Sequence, residues 1–267
     1  MKRKLALIFA LALIAVTLLG CGSSQNGWKY IKDKDILIVG LDDTFAPMGF
    51  RDEAGQLVGF DIDMANEVSE ILGVKVEFKP IVWDTKEMEL SAKRVDCLWN
   101  GMSATPARQG SMALTDKYLN NQLMVAVLDP EVKIATVNDL ADYKIGTQAD
   151  SAAFEVMEEH DDYGLFKDNI SLYDDYDLAI LDMQAGRIDC IVVDKVLADY
   201  KNTKMDVQME YCEFNFGDDY FAIGCRKEDT DVAKKITDAL KTLIDNGTAA
   251  EISEKWFGSN IVIMQGY

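Results

Sequence analysis

Apolar residues along the chain fall into short blocks with two different rhythms. Ile36 to Gly40 (Ile-Leu-Ile-Val-Gly) is a continuous apolar run ended by glycine, the pattern of a strand covered on both faces. From Asp61 to Leu72 the rhythm becomes helical, with Ile62, Ala65, Val68 and Leu72 on one side and Gly73 at the stop position. Val74 to Phe78 then alternates apolar and charged residues, which predicts a second strand. Strand, helix, strand in that order predicts a parallel α/β unit. Near the end, Asp231 to Asn246 predicts an amphipathic helix with Val232, Ile236, Leu240, Leu243 and Ile244 on one side, stopped at Gly247. A shorter segment carrying Ile252 and Trp256 follows, and both read as packing elements.

The middle of the chain repeats itself. Trp83 to Leu98 (WDTKEMELSAKRVDCL) and Tyr176 to Ile191 (YDLAILDMQAGRIDCI), 93 residues apart, are identical at five of 16 positions: Asp, Ala, Arg, Asp and Cys. Chance would give roughly one. Each copy predicts a helix, a tight turn at Lys93-Arg94 or Gly186-Arg187, and a buried strand from Asp96 or Asp189. Two similar α/β lobes in one chain account for it, because the period is too long for a solenoid.

The first 20 residues obey neither rhythm. Lys2, Arg3 and Lys4 precede 15 uncharged residues, Leu5 to Leu19, and the run closes on Leu18-Leu19-Gly20-Cys21. This predicts an export signal, since the run is short for a bilayer span. Leu-Leu-Gly-Cys resembles a bacterial lipobox, which implies cleavage after Gly20 and diacylation of Cys21. Two acyl chains suffice for stable anchoring where one does not. Gly22 to Gly27 reads as the tether to the folded part.

Composition narrows the function. The 267 residues include 27 basic, 46 acidic and one His, a net charge of −19; 49% are hydrophobic, enough for a normal core. Loss of residues 1–20 removes three basic and no acidic residues, leaving 24 against 46, or −22. Such a surface excludes nucleic-acid binding, which needs a basic footprint. Cys97, Cys190, Cys212 and Cys225 lie in or beside apolar runs and show no CxxC spacing. They read as buried free thiols, with three disulfide connectivities as the alternative for an exported protein, and they do not suggest a metal site.

Several of these segments together resemble a known family. ILIVGLDDTFAPMGF (36–50), GQLVGFDIDMA (55–65), RVDCLWNGMSATPAR (94–108), GRIDCIVVD (186–194) and Lys255-Trp256-Phe257-Gly258 resemble family 3 extracellular solute-binding proteins, the amino-acid receptors of ABC importers. The resemblance spans essentially the whole exported chain. It implies a two-lobed α/β clamshell of the type II periplasmic-binding-protein kind, each lobe a mixed sheet flanked by helices. Two hinge strands would cross near Asn120 and Gly217, so that 28–120 plus 217–267 form lobe 1 and 121–216 lobe 2. The ligand would sit between the lobes at the strands' carboxyl ends.

The resemblance also implies roles for particular residues. Arg108, just after the Thr105-Pro106 helix start, would grip a ligand carboxylate with two parallel hydrogen bonds. Ser103 and the backbone around Asn100, Gly101 and Met102 would complete lobe 1's half, and Asn100, where the family often has a small residue, would either offer an extra amide to the ligand or serve its own turn at the strand end. In lobe 2, Ser151 and Ala152 open a helix whose N–H groups would face the same carboxylate; the family's usual Gly and Thr are replaced here by Asp150 and Ala152, which removes a hydroxyl. Asp194 would hold the ammonium, Phe45 and Trp83 would wall the side chain, and Asp42 would meet polar or cationic groups on it. One cation and two carboxylates favour polar or basic amino acids such as glutamine, cystine or a basic amino acid over acidic ones. The implied partners are a free amino acid, a membrane permease and the membrane reached through Cys21, with the protein monomeric, exported and without cofactor. An enzyme, such as a dehydratase on the same fold, is disfavoured because no nucleophile and base are paired in the sequence. A ligand-sensing subunit for a separate signalling protein is the remaining alternative.

Overall fold

The computed structural model describes residues 27–267. The export signal, Cys21 and the tether up to Asn26 lie outside the described residues. Gly27 does not belong to the tether: it is the buried first residue of helix α1 (Gly27–Lys34). A Cβ there would stand 2.3 Å from Oδ1 of Asp229, and the Trp28 N–H donates to Asp231 Oδ2 at 3.0 Å. Close docking against a neighbouring helix start is what requires glycine at this position.

The expected strand–helix–strand unit is present as β1 (Ile36–Leu41), a small ribbon of β2 (Thr44–Phe45), β3 (Gly49–Arg51) and β4 (Leu57–Val58), then α2 (Phe60–Leu72) and β5 (Lys75–Pro80). Gly73 caps α2 at φ 63°, the left-handed value that its stop position called for. A 3₁₀ turn (Trp83–Thr85) leads into α3 (Lys86–Ser91), β6 (Cys97–Leu98), α4 (Pro106–Ser111) and β7 (Met112–Leu114). The chain continues through β8 (Lys117–Val127), β9 (Ile145–Gln148), α5 (Ala152–Glu158), β10 (Ile170–Tyr173), α6 (Tyr176–Gln184), β11 (Cys190–Asp194), α7 (Lys195–Asn202) and β12 (Glu210–Phe221). It ends with β13 (Gly224–Arg226), α8 (Thr230–Asp245), α9 (Thr248–Phe257) and β14 (Val262–Gln265).

These strands make two mixed sheets. One has the order β5-β1-β6-β13-β7, the other β10-β9-β11-β8-β12 with β14 beside β8. Within them β1, β5 and β6 run parallel, as do β9, β10 and β11. The long strands β8 and β12 lead the chain out of the first sheet and back, paired antiparallel from Leu119–Phe221 to Val127–Glu210. Asn120 lies opposite Tyr220 and Gly217 opposite Leu123, so both residues expected at the crossings sit in this ribbon. Helix α8 seals the first lobe with Val232, Ile236, Leu240 and Leu243, each at most 1% exposed. Full burial of each is worth about 1.5–3 kcal/mol.

The repeat is a structural device rather than a chemical one. Lys93 and Gly186 turn the chain at φ 57° and 67°, and the next N–H, of Arg94 or Arg187, donates to the carbonyl of Glu89 (3.0 Å) or Asp182 (2.9 Å). The same two acids form ion pairs with the repeated arginines. Asp96 and Asp189 exchange bonds with a neighbouring strand's backbone: each N–H donates to the carbonyl of Ile38 (2.7 Å) or Lys144 (2.8 Å), and each carboxylate accepts from that residue's N–H (2.8 and 2.7 Å). Cys97 and Cys190 are fully buried, as is Cys225; all four described cysteines are free thiols, and Cys212 differs from expectation in being only half-buried.

The two copies differ in environment. Asp96 is fully buried and also meets Lys34 at 2.5 Å and the buried Arg226 at 3.5 Å, whereas Asp189 is partly exposed. Asp96→Ala should therefore cost about 3 kcal/mol, because it takes the acceptor from the Ile38 N–H and removes one of the two carboxylates beside the buried Arg226, which keeps Asp229. Asp189→Ala should cost only about 1–2 kcal/mol. Urea unfolding of the two variants checks this, and equal losses would contradict it.

Candidate functional site

The parallel strands of both sheets point their carboxyl ends at one cleft. Asp42 follows β1, Trp83 follows β5, and Asn100, Gly101 and Ser103 follow β6. From the other sheet, Gln148 ends β9, Ser151 and Ala152 open α5, and Asp194 ends β11. With Phe45 and Arg108, these residues line one cavity between the lobes, whose enclosed space is only about 10 Å³, so the two lobes stand closed down on one another. Every residue singled out from the sequence lines it except Met102, whose fully buried side chain packs with Trp83, Leu98 and Met112 and whose carbonyl accepts from Ala222 N–H at 2.8 Å. Gln148 is the lining residue missed. No charge or aromatic ring marks it out in the sequence.

Arg108 is 4% exposed. Thr105 caps α4 by accepting from the Arg108 N–H at 3.3 Å, and Pro106 fills the first helical position. The guanidinium donates to carbonyls from both lobes, Ser103 at 3.2 Å and Asp150 at 3.2 Å, and stands 3.5 Å from Glu155. Thr105 Oγ1 also crosses the cleft, donating to Glu155 Oε1 at 2.5 Å.

Asp150 explains the departure from the family's glycine. It adopts φ 55°, a left-handed conformation that Gly takes freely and Asp tolerates. Its carboxylate pairs across the cleft with Lys86, which is 1% exposed and also donates to the Asp150 carbonyl at 2.9 Å. Burial and the neighbouring Arg108 push the Lys86 ammonium below its ordinary pKa, against the pull of Asp150. Lys86 also lies 5.3 Å from the Trp83 ring centre, which fixes that aromatic wall.

The acids sit differently. Asp42 accepts from Thr44 N–H (2.9 Å) and Thr44 Oγ1 (2.7 Å), and across the cleft from Gln148 Nε2 (2.7 Å). Burial raises its pKa despite these bonds. Asn100, which touches the cavity, donates its amide to the Asp42 carbonyl at 2.5 Å, so its side chain holds the Asp42 loop. Asp194 accepts from Asn121 Nδ2 at 2.6 Å, and its pKa is pushed up to about 8 by burial and by Asp219, against the pull of Asn121 and Arg108. Gly101 shapes the floor: at φ 61° its Cβ would lie 2.7 Å from the Phe45 ring. Its N–H donates at 2.8 Å to the buried Asp61, whose two oxygens also accept from Tyr118 OH at 2.8 and 2.9 Å. Burial pushes Asp61 up to about 7. Tyr176, the repeat counterpart of Trp83, packs on Phe45 from the opposite lobe, ring centres 6.1 Å apart.

The cavity thus offers a cation and two carboxylates, walled by aromatic rings and closed by bonds between lobes. Among the described residues there is no cluster of metal-ligating side chains, and no helix is long and apolar enough to cross a membrane.

Residues 37–259 match the profile of bacterial extracellular solute-binding proteins, family 3. The L-cystine-binding protein TcyJ of Escherichia coli is 27% identical over 255 residues, covering 95% of this chain and 94% of its own. The L-cystine-binding protein TcyA of Bacillus subtilis is 28% identical over 274 residues, covering 97% and 98%. Among solved structures, an ABC uptake transporter substrate-binding protein from Streptococcus pneumoniae with bound histidine superposes with a TM-score of 0.83 at 33% identity, over 90% of this chain and 99% of that one. The two sheets have the two-lobed architecture of type II periplasmic binding proteins, and the chain belongs to the bacterial extracellular solute-binding proteins, family 3.

Proposed function

We propose that the protein captures a free L-amino acid with a polar or basic side chain between its lobes and delivers it to an ABC permease. The observation that carries this reading is the placement of buried Arg108 and buried Asp194 on opposite sides of one cleft. A zwitterion removed from water needs an opposite charge at each end. Arg108 takes the carboxylate, helped by the Ala152 N–H where α5 opens, and Asp194 takes the ammonium. Phe45 and Trp83 cover the ligand's stem.

Asp42 decides the class of side chain. Its carboxylate is satisfied by neutral donors and, among the described residues, forms no ion pair, so it favours a ligand that brings N–H groups or positive charge. The cystine-binding relatives and the histidine-bound neighbour agree with that preference.

Lobes divided as 28–120 plus 217–267 and 121–216 would swing about β8 and β12. The ligand shifts an open–closed equilibrium because only the closed form lets both lobes touch it. The protein acts as a monomer, exported and held to the outer face of the membrane by lipid on Cys21.

A thermal-shift screen against free amino acids and cystine tests the reading. A binder at 100 times its dissociation constant should add about 2.7 kcal/mol of stability; no shift with any of them would refute it. Arg108→Ala should weaken that binder roughly 100-fold or more by calorimetry while the circular dichroism spectrum stays native. Asp42→Asn should lose affinity for L-arginine at least about tenfold more than for L-glutamine, because the carboxylate that faces the ligand's second positive charge becomes a neutral amide. Cys21→Ser should move the protein from the membrane to the soluble fraction of the expressing cells.

A further inference from the structure

Behind Asp194 lies a bonded chain that crosses both hinge strands. Asn121 on β8 and Asp219 on β12 are register partners. The Asn121 amide nitrogen donates to Asp194 Oδ1 at 2.6 Å and to Asp219 Oδ2 at 2.9 Å, one hydrogen to each carboxylate. Its oxygen accepts from Val196 N–H at 3.4 Å, which fixes the amide's orientation. From lobe 1, Ser103 Oγ donates to the same Asp219 oxygen at 2.7 Å. Asn121 is 6%, Asp194 4% and Ser103 1% exposed.

We infer that Asn121 and Asp219 are positioning residues of the ammonium subsite: one amide spans two carboxylates and makes them a single doubly acidic clamp anchored on both hinge strands. This rests on the reading of the cleft as an amino-acid site. The chain Ser103–Asp219–Asn121–Asp194 contains two acids and no cation. Arg108 acts on Asp194 as a cation, where Asp219 opposes it and the Tyr176 hydroxyl stands close by. Lys195, next in sequence, is turned to Asp199 at 2.5 Å. The cluster is therefore short of positive charge at the wall formed by Ser103 and Asp194, and an ammonium placed there completes it. Because Ser103 belongs to one lobe and Asp194 to the other, completing the cluster also favours the closed arrangement.

The two residues act on Asp194 in opposite senses, which supplies the test. Asp219 disfavours its ionised form and the Asn121 amide favours it. Calorimetry with L-histidine, L-arginine and L-cystine from pH 6 to 9 should show wild-type affinity rising towards about pH 8, as Asp194 ionises. Asp219→Asn should move that rise to lower pH. Asn121→Ala should move it to higher pH and weaken binding at pH 7 by roughly 10–100-fold. Carbon-13 titration of the Asp194 carboxyl in the unliganded variants should follow the same order. If Asn121→Ala unfolds, the near-isosteric Asp219→Asn decides alone. A pH profile unmoved by Asp219→Asn, in a protein that still binds, overturns the clamp and leaves the amino-acid reading standing; a wild type that ignores every probe overturns both.

Discussion

Charges removed from water must be compensated, and how this chain compensates them governs the rest of the molecule. Two strategies coexist. Arg226 with Asp229 and Lys86 with Asp150 neutralise each other directly. The cavity charges are held mainly by dipoles: Arg108 by the carbonyls of Ser103 and Asp150, Asp194 by the Asn121 amide, Asp42 by Thr44 and Gln148. Dipoles orient a charge without cancelling it. What remains is a field in the cleft that an incoming molecule of the right charge pattern can complete, while the self-neutralised pairs simply hold structure.

The sheets make that placement possible. Parallel strands end on the same side, so Asp42, Trp83, Asn100 and Asp194 are brought together from distant parts of the sequence without special local geometry. The return of the chain through β12 adds Asp219 from behind, next to Asn121 on β8. Elements that connect the lobes thereby also reach the back wall of the cleft.

Much of this was legible in the sequence because it depends on local rules. The stop at Gly73, the cap at Thr105 and the repeated turn before Asp96 and Asp189 each follow from one residue's conformational or hydrogen-bonding preference. The resemblance added which strand ends meet, and so gathered most of the cavity's lining. What stayed hidden depends on pairing across distance. Gln148 is an ordinary amide until the opposite lobe brings Asp42 to it, and Asp219 is one acid among 46 until Asn121 is opposite. Lys86 would be taken for solvent-facing, since nothing near it in sequence reveals that Asp150 covers it from the other lobe. The tether boundary failed for a related reason: Gly27 reads as flexible, yet contact with Asp229, 202 positions later, fixes it in a helix.

That docking of α1 has a topological meaning. Trp28 is bonded to Asp231 and Gly27 lies against Asp229, so the described chain starts on the lobe formed around β1 and α8. The lobe around β1 and α8 thus holds the start of the described chain as well as helices α8 and α9, whereas the β9–β11 sheet is continuous with it in sequence only through β8 and β12.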